Sequence, residues 1–299
     1  MFLPGYNVTY SFNKVSTTFK IFLQSAKILT AIKREHHTLG KIIHDTPVDL
    51  VISDNRYGFY HPSVFSVIIT HQLNLKTGLG SLTDKYIRKS LSGYTRRFNE
   101  TWIPDNNEAP ILAGELSKPF RSAVNQFYIG PISRLQHCLE SNKKHILIVL
   151  SGPEPQRSIL EKAILNSCNS VNDTIVIVRG SSRLIKVEPK PGLVIYDFAE
   201  TTLLNRLICD ASIVVSRSGY TSVMDILKLK KPWIVIPTPG QAEQEYLGNY
   251  LHENRWAMSF RQTEFNLSAA LNDAARFEFQ HPSINTEKYK ETIDRILSL

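Results

Sequence analysis

Short apolar runs recur along the chain at intervals that suit strands alternating with helices. Residues 48–53, 66–70, 101–103, 145–150, 175–178, 193–196, 213–215 and 233–236 are rich in Val, Ile and Leu. Turn-forming or polar residues bound them, and this pattern predicts buried strands. Between the runs, apolar positions adopt helical spacing. Residues 13–44 place Phe19, Phe22, Leu23, Ala26, Leu29 and Ile32 at helical intervals, with Lys14, Lys20, Lys27, Lys33 and Arg34 among them. That spacing predicts a long helix with a basic face. Packing against a core, with the basic face in solvent, is the favoured reading; contact with lipid headgroups is the other. Residues 75–98 are basic and partly helical, and 264–299 read as two more helices. Strand–helix alternation of this kind predicts an α/β fold with parallel, doubly wound sheets.

The most informative stretch is 209–251. The apolar run 213–215 enters Ser216-Arg217-Ser218-Gly219, and helical spacing resumes through Val223, Ile226 and Leu227. The run 233–236 ends at Pro237, and a Pro/Gly loop leads to a polar helix from about Gln241. A glycine opening a helix lets a ligand approach free backbone N–H groups at the positive end of the helix dipole, which favours a diphosphate. Asp225, six residues beyond Gly219, lies roughly 9 Å along that helix, within reach of a ribose. An ordinary packing turn explains the same strand-Gly-helix pattern equally well.

At these residues the chain resembles the family 28 glycosyltransferases. That family's donor domain carries a Ser/Cys-Arg-(Ser/Ala)-Gly turn, an acidic residue on the following helix, and a proline-rich loop with paired polar residues. Ser216, Arg217, Ser218, Gly219, Asp225, Gln244 and Glu245 fall on those positions. The resemblance implies a GT-B fold, two Rossmann-like domains facing a cleft, with 1–128 on the acceptor side and 129–299 binding the nucleotide sugar. Tyr128-Ile129-Gly130-Pro131-Ile132 resembles the linker. The resemblance further implies that Asp225 binds ribose hydroxyls of UDP and that Gln244 and Glu245 face the donor sugar. Gly152 would touch donor phosphate, although Pro153 and Pro155 remove backbone donors there. Phe198-Ala199 falls where the family caps uracil with an aromatic ring; a buried core Phe accounts for it equally well. Asp225 is shorter than the usual Glu, and Glu245 replaces a common Gln. His71 and Asn74 match an acceptor-facing His-Glu-x-Asn run, in which Gln72 stands where the carboxylate would be. A lone His after a strand is more often structural.

Asp54, delivered by the first run into a Gly- and Pro-bearing loop, and His71 are the candidate bases. The family's glycine-rich acceptor loop has no counterpart, so the first domain is expected to be short by one or two βα units and the chain to bind donor with little transfer. The net charge of +8 is concentrated early, with 15 Lys/Arg against 9 Asp/Glu in residues 1–128. A phosphate-bearing, lipid-linked or otherwise anionic acceptor suits that half, as does peripheral contact with the inner face of a membrane. Nucleic acid suits it poorly, because the basic residues are not interleaved with an aromatic platform. Cys138, Cys168 and Cys209 show no C-x-x-C spacing, which predicts neither a disulfide nor a zinc site and a reducing compartment. No signal peptide or run long enough to span a bilayer is present, so a cytoplasmic location is expected. No Asp-x-Asp metal motif and no cofactor motif occurs. The leading expectation is an inverting, metal-independent enzyme transferring a hexosamine, N-acetylglucosamine first among them, from a UDP-sugar. A UDP-sugar epimerase and a non-catalytic UDP-sugar-binding subunit or degenerate paralogue remain as alternatives.

Overall fold

The computed structural model describes residues 14–75, 80–119, 125–138, 144–181 and 190–298, with backbone alone for 14–26, 28, 81, 82 and 87. Contacts divide the chain into two units, Met1–Pro131 with Glu287–Leu299, and Ile132–Thr286.

The first unit runs α1 (Lys14–Asp45), β1 (Leu50–Asp54), β2 (Phe65–Ile69), α2 (Ser81–Thr95), β3 (Glu100–Ile103) and β4 (Gln126–Tyr128). Its four strands are parallel, in the order β1-β2-β3-β4. Val67, Ile68, Trp102 and Ile103 fill the core. In the part of α1 whose side chains are described, Ile32, Glu35 and Leu39 are buried while Lys33 and Arg34 are exposed, a core-packed helix with a solvated basic face. Glu35 holds the loop after β1 by accepting from Arg56 Nη1 at 2.9 Å and from the Gly58 amide at 3.2 Å. Glycine is required at 58, because a Cβ there would lie 2.1 Å from the Ile32 carbonyl oxygen. The loop after β3 is organised by buried Asp105, which accepts from the Leu112 and Ala113 amides and from Ser117 Oγ.

The second unit runs β5 (His145–Val149), α3 (Gln156–Ser167), β6 (Ile175–Val178), β7 (Leu193–Tyr196), α4 (Thr201–Asp210), β8 (Ala211–Ser216), α5 (Tyr220–Leu229), β9 (Trp233–Val235), α6 (Ala242–Glu253), β10 (Met258–Ser259) and α7 (Leu267–Ala274). All six strands are parallel, in the order β10-β9-β8-β5-β6-β7. Ile146, Ile148, Ile177, Val215 and Ile234 pack with Leu160 and Ile164 of α3 and with Leu267 and Ala270 of α7. The chain winds outward from β5 through β6 and β7, then returns to the other side of β5 and winds through β8, β9 and β10. The winding therefore reverses between β5 and β8, where doubly wound sheets place ligands.

Two expectations change. Residues 287–299, read as part of the second domain, pack with the first: Arg295 of α8 (Tyr289–Leu297) forks onto Glu100 of β3 at 2.8 and 2.7 Å and lies 4.7 Å from the Phe127 ring of β4. The cysteines are not all free, since Cys138 and Cys209 form a disulfide across 71 residues while Cys168 is buried and reduced. Spacing concealed this pair. Residues 132–138 run alongside α4, where the Gln136 amide donates to Asn205 Oδ1 at 2.7 Å, and that brings Cys138 to the helix end.

Candidate functional site

Three loops leave adjacent strands at the carboxyl edge of the second sheet: Leu150–Pro155 after β5, Arg217–Gly219 after β8 and Ile236–Gln241 after β9. Each leads into a helix, α3, α5 or α6, so three helix starts share this edge and bias it toward anions. Gly219 is the N-cap of α5; among the described residues no side chain caps it, and a Cβ there would meet no atom within 4 Å. The backbone at the start of α5 can therefore be approached closely at Gly219. Gly152, at φ 99°, takes a backbone conformation that an L side chain resists. A Cβ at Gly152 would lie 3.6 Å from Thr238 Oγ1, a buried hydroxyl with no hydrogen-bond partner among the described residues.

Asp225, on α5, is 9% exposed, and its Oδ1 accepts from Ser133 Oγ at 2.6 Å. Burial raises its carboxyl above the ordinary range, against the lowering effects of Ser133, Arg134 and Lys228. Ser133 was not foreseen from the sequence. It sits just past the chain division, and only the fold brings it across to α5.

Arg217 corrects an expectation. The resemblance puts Arg217 in the donor-site turn, where a ligand contact is expected, yet its side chain is 1% exposed and turned inward. Nη1 donates to the Ile236 and Pro237 carbonyls at 2.9 and 3.2 Å, and Nη2 to the Gln156 carbonyl at 2.9 Å and to Gln262 Oε1 at 2.6 Å. Burial pulls its pKa down to about 10. Arg217 therefore ties its own loop after β8 to the start of the loop after β9 and to the first residue of α3, with both terminal nitrogens engaged by the protein. Gln156 and Gln262, which bond each other at 2.8 Å, complete the tie and carried no sequence signal.

The polar pair on α6 shapes the neighbouring loop. Ser218 Oγ donates to the Gln244 carbonyl at 2.8 Å, and Gln244 Oε1 accepts from the Thr238 amide at 2.9 Å. Glu245, exposed, accepts from the Gly240 amide at 2.9 Å. Phe198 follows edge strand β7 and is 62% exposed, so it is not a core residue; Ala199 beside it is half-buried.

The remaining candidates belong to the first unit. Asp54 ends β1 opposite Ile69 of β2, and His71 follows β2, so both leave adjacent parallel strands at one edge. Asp54 is exposed and His71 half-buried. Asn74 is engaged, with its Oδ1 accepting from Arg88 Nη1 at 2.5 Å and its amide donating to the Leu116 carbonyl at 3.0 Å. Gln72 and Tyr57 line a cavity of about 650 Å³ together with Lys85, Arg88, Lys89 and Arg96. Burial pushes the Tyr57 phenol up to about 12 despite a hydrogen bond with Thr70.

A curated UDP-N-acetylglucosamine--N-acetylmuramyl-(pentapeptide) pyrophosphoryl-undecaprenol N-acetylglucosamine transferase from Lachnospira eligens is 24% identical over 251 residues, 78% of this chain. The chain spans 66% of that relative's length. Among solved structures, a putative UDP-N-acetylglucosamine 2-epimerase from Listeria monocytogenes superposes with a TM-score of 0.60 at 12% identity, covering 91% of this chain and 78% of that one. The glycotransferase of kitacinnamycin superposes with a TM-score of 0.58 at 11% identity, covering 95% and 83%. These likenesses fix the fold as GT-B. Residues 142–296, more than half of the chain, match the glycosyltransferase family 28 C-terminal domain, and the chain belongs to glycosyltransferase family 28.

Proposed function

We propose that the protein transfers a hexosamine, N-acetylglucosamine in the first instance, from its UDP-sugar to an acceptor hydroxyl with inversion and without a metal. The observation that carries this reading is the start of α5 at Gly219, roomy and without a side-chain cap among the described residues, which follows the strand next to the one leading to Gly152 and precedes Asp225 by six residues on one helix. The diphosphate would lie on the α5 N–H groups, and Asp225 would accept from the ribose hydroxyls, sharing with or displacing Ser133. Phe198 would stack on uracil with Ala199 beside its edge. Thr238 would supply a hydroxyl to the phosphate side, and Gln244 with Glu245 would face the sugar. The acceptor oxygen attacks the anomeric carbon as its bond to UDP breaks. The acceptor proton passes to Asp54 or His71, and the charge gathering on UDP is stabilised by the α5 start. The Lachnospira eligens relative is named for an N-acetylmuramyl-(pentapeptide) pyrophosphoryl-undecaprenol acceptor. The cavity lined by Lys85, Arg88, Lys89 and Arg96 suits an anionic acceptor of that kind, and Asn74 helps to order its wall through Arg88.

Titration calorimetry on the full chain with UDP, UDP-N-acetylglucosamine and ADP tests the donor site. UDP should bind more tightly than ADP. Asp225→Ala should weaken UDP by about 1.5–3 kcal/mol, the range for hydrogen bonds to a charged group. Equal affinity for the two diphosphates would remove the uracil assignment. Incubation with labelled donor and a panel of lipid-linked and soluble acceptors, followed by NMR, separates sugar transfer from epimerisation and from binding without turnover.

A further inference from the structure

A chain of five ionised side chains crosses the carboxyl edge of the second sheet. Glu154, in the loop after β5, meets Arg157 at 2.7 Å; Arg157 meets Glu161 at 2.9 Å; Glu161 meets Arg179 at 2.6 Å; Arg179 reaches Asp197 at 3.4 Å. Arg179 directly follows β6, and Asp197 directly follows β7 and precedes Phe198. Glu161, at the middle, is fully buried, and both arginines are nearly so. Backbone contacts tighten the same loops: the Arg179 amide donates to the Tyr196 carbonyl at 2.8 Å and the Ser181 amide to the Asp197 carbonyl at 3.3 Å. A Cβ on Gly180 would lie 2.9 Å from the Leu150 carbonyl oxygen.

Buried ion networks are weak evidence of stabilisation, because desolvation offsets the attraction and apolar packing often does as well. What this one does provide is a fixed distance between the Gly152 loop and the Asp197-Phe198 loop. We propose that Glu161, with Arg157 and Arg179, is a positioning group that sets nucleobase selectivity by holding Phe198 in register with the phosphate loop. This rests on the UDP reading above. Without the Glu161 charge, two buried guanidiniums face each other with one fewer counterion. Arg179 is then driven away from Arg157 and toward Asp197 at the solvent end, and the Phe198 ring loses its register.

The test measures UDP, ADP and inorganic pyrophosphate affinities for wild type, Phe198→Ala, Glu161→Gln and the double variant. Phe198→Ala should lower UDP affinity about tenfold, within the range for a lost base–aromatic stack. Glu161→Gln should cut the UDP-over-ADP preference about fivefold or more and leave pyrophosphate affinity within about twofold, with little further loss in the double variant. Should Glu161→Gln fail to fold, Asp197→Asn at the solvent end must produce the same selective loss. A wild type without UDP preference defeats the UDP reading and this inference together. A wild type whose preference depends on Phe198 but survives both Glu161→Gln and Asp197→Asn defeats the positioning role alone.

Discussion

Asp225 holds a carboxylate where water is largely excluded, and one hydroxyl, Ser133, faces it. Its raised pKa means that the folded state binds this proton more tightly than the unfolded chain does. Ionised Asp225 therefore costs stability at neutral pH, and the cost disappears as pH falls through the folded pKa toward the unfolded value. Asp225→Asn keeps an acceptor for Ser133 and removes the charge. The melting temperature at pH 7 should hold or rise, with the gain over wild type shrinking on acidification, while UDP affinity drops. A melting temperature that falls at pH 7 and does not recover in acid would mark the charge itself as structural. Sequence spacing placed Asp225 on the helix beyond Gly219. Its partner was invisible, because a serine 92 residues away carries no local signal of where it will lie.

Elements were read well where one physical cause dominated. All eight apolar runs are strands: the central ones are covered and need a continuous apolar stretch, and the edge strands β1 and β7 carry the same run although Ile52 and Val194 are exposed. Strands β4 and β10 escaped notice because Gln126–Tyr128 and Met258–Ser259 are short, mostly unburied edge segments without such a run. Arg217 shows a subtler limit: an arginine in a loop at a ligand edge reads as a ligand contact, yet here it joins three elements. Arg217→Leu would leave the Ile236, Pro237 and Gln156 carbonyls and the Gln262 amide oxygen without their donor. At about 1–3 kcal/mol per stranded buried group, tempered by relaxation, the second unit should lose on the order of 3 kcal/mol or more. Urea unfolding followed by tryptophan fluorescence measures this. A midpoint unchanged from wild type would return Arg217 to the ligand.

At the scale of the molecule, the two units differ in how the chain supplies them. The second is continuous from Ile132 to Thr286, whereas the first draws its last helix from Glu287–Leu299. Buried Glu100 depends on that helix. Burial alone would raise its carboxyl, but Arg295 and the Trp102 indole hold it below the usual carboxylate range. A depressed carboxyl contributes stability that is present above the unfolded pKa and lost as pH falls through the folded one. Arg295→Ala should destabilise the first unit by about 2–3 kcal/mol. That is less than the 3–5 for a fully buried pair, because Arg295 is 41% exposed. The deficit should narrow below the ordinary carboxylate range. Hydrogen exchange resolved by segment checks the location: β3 and β4 amides should exchange faster and β5–β9 amides at the wild-type rate. The two apolar halves of the fold were legible as a pattern; the return of α8 was not, because the contacts that hold it, such as the fork of Arg295 on Glu100 195 residues earlier, leave no local signal.

That return sets an order of events during synthesis. Ribosomes deliver residues at about 5–20 per second and domains generally fold as they emerge, the earlier one first. Here the α8 helix that closes the first unit is made only after every residue of the second. Glu100 therefore waits without its arginine while Ile132–Thr286 is translated, and the unit begun first is the one finished last.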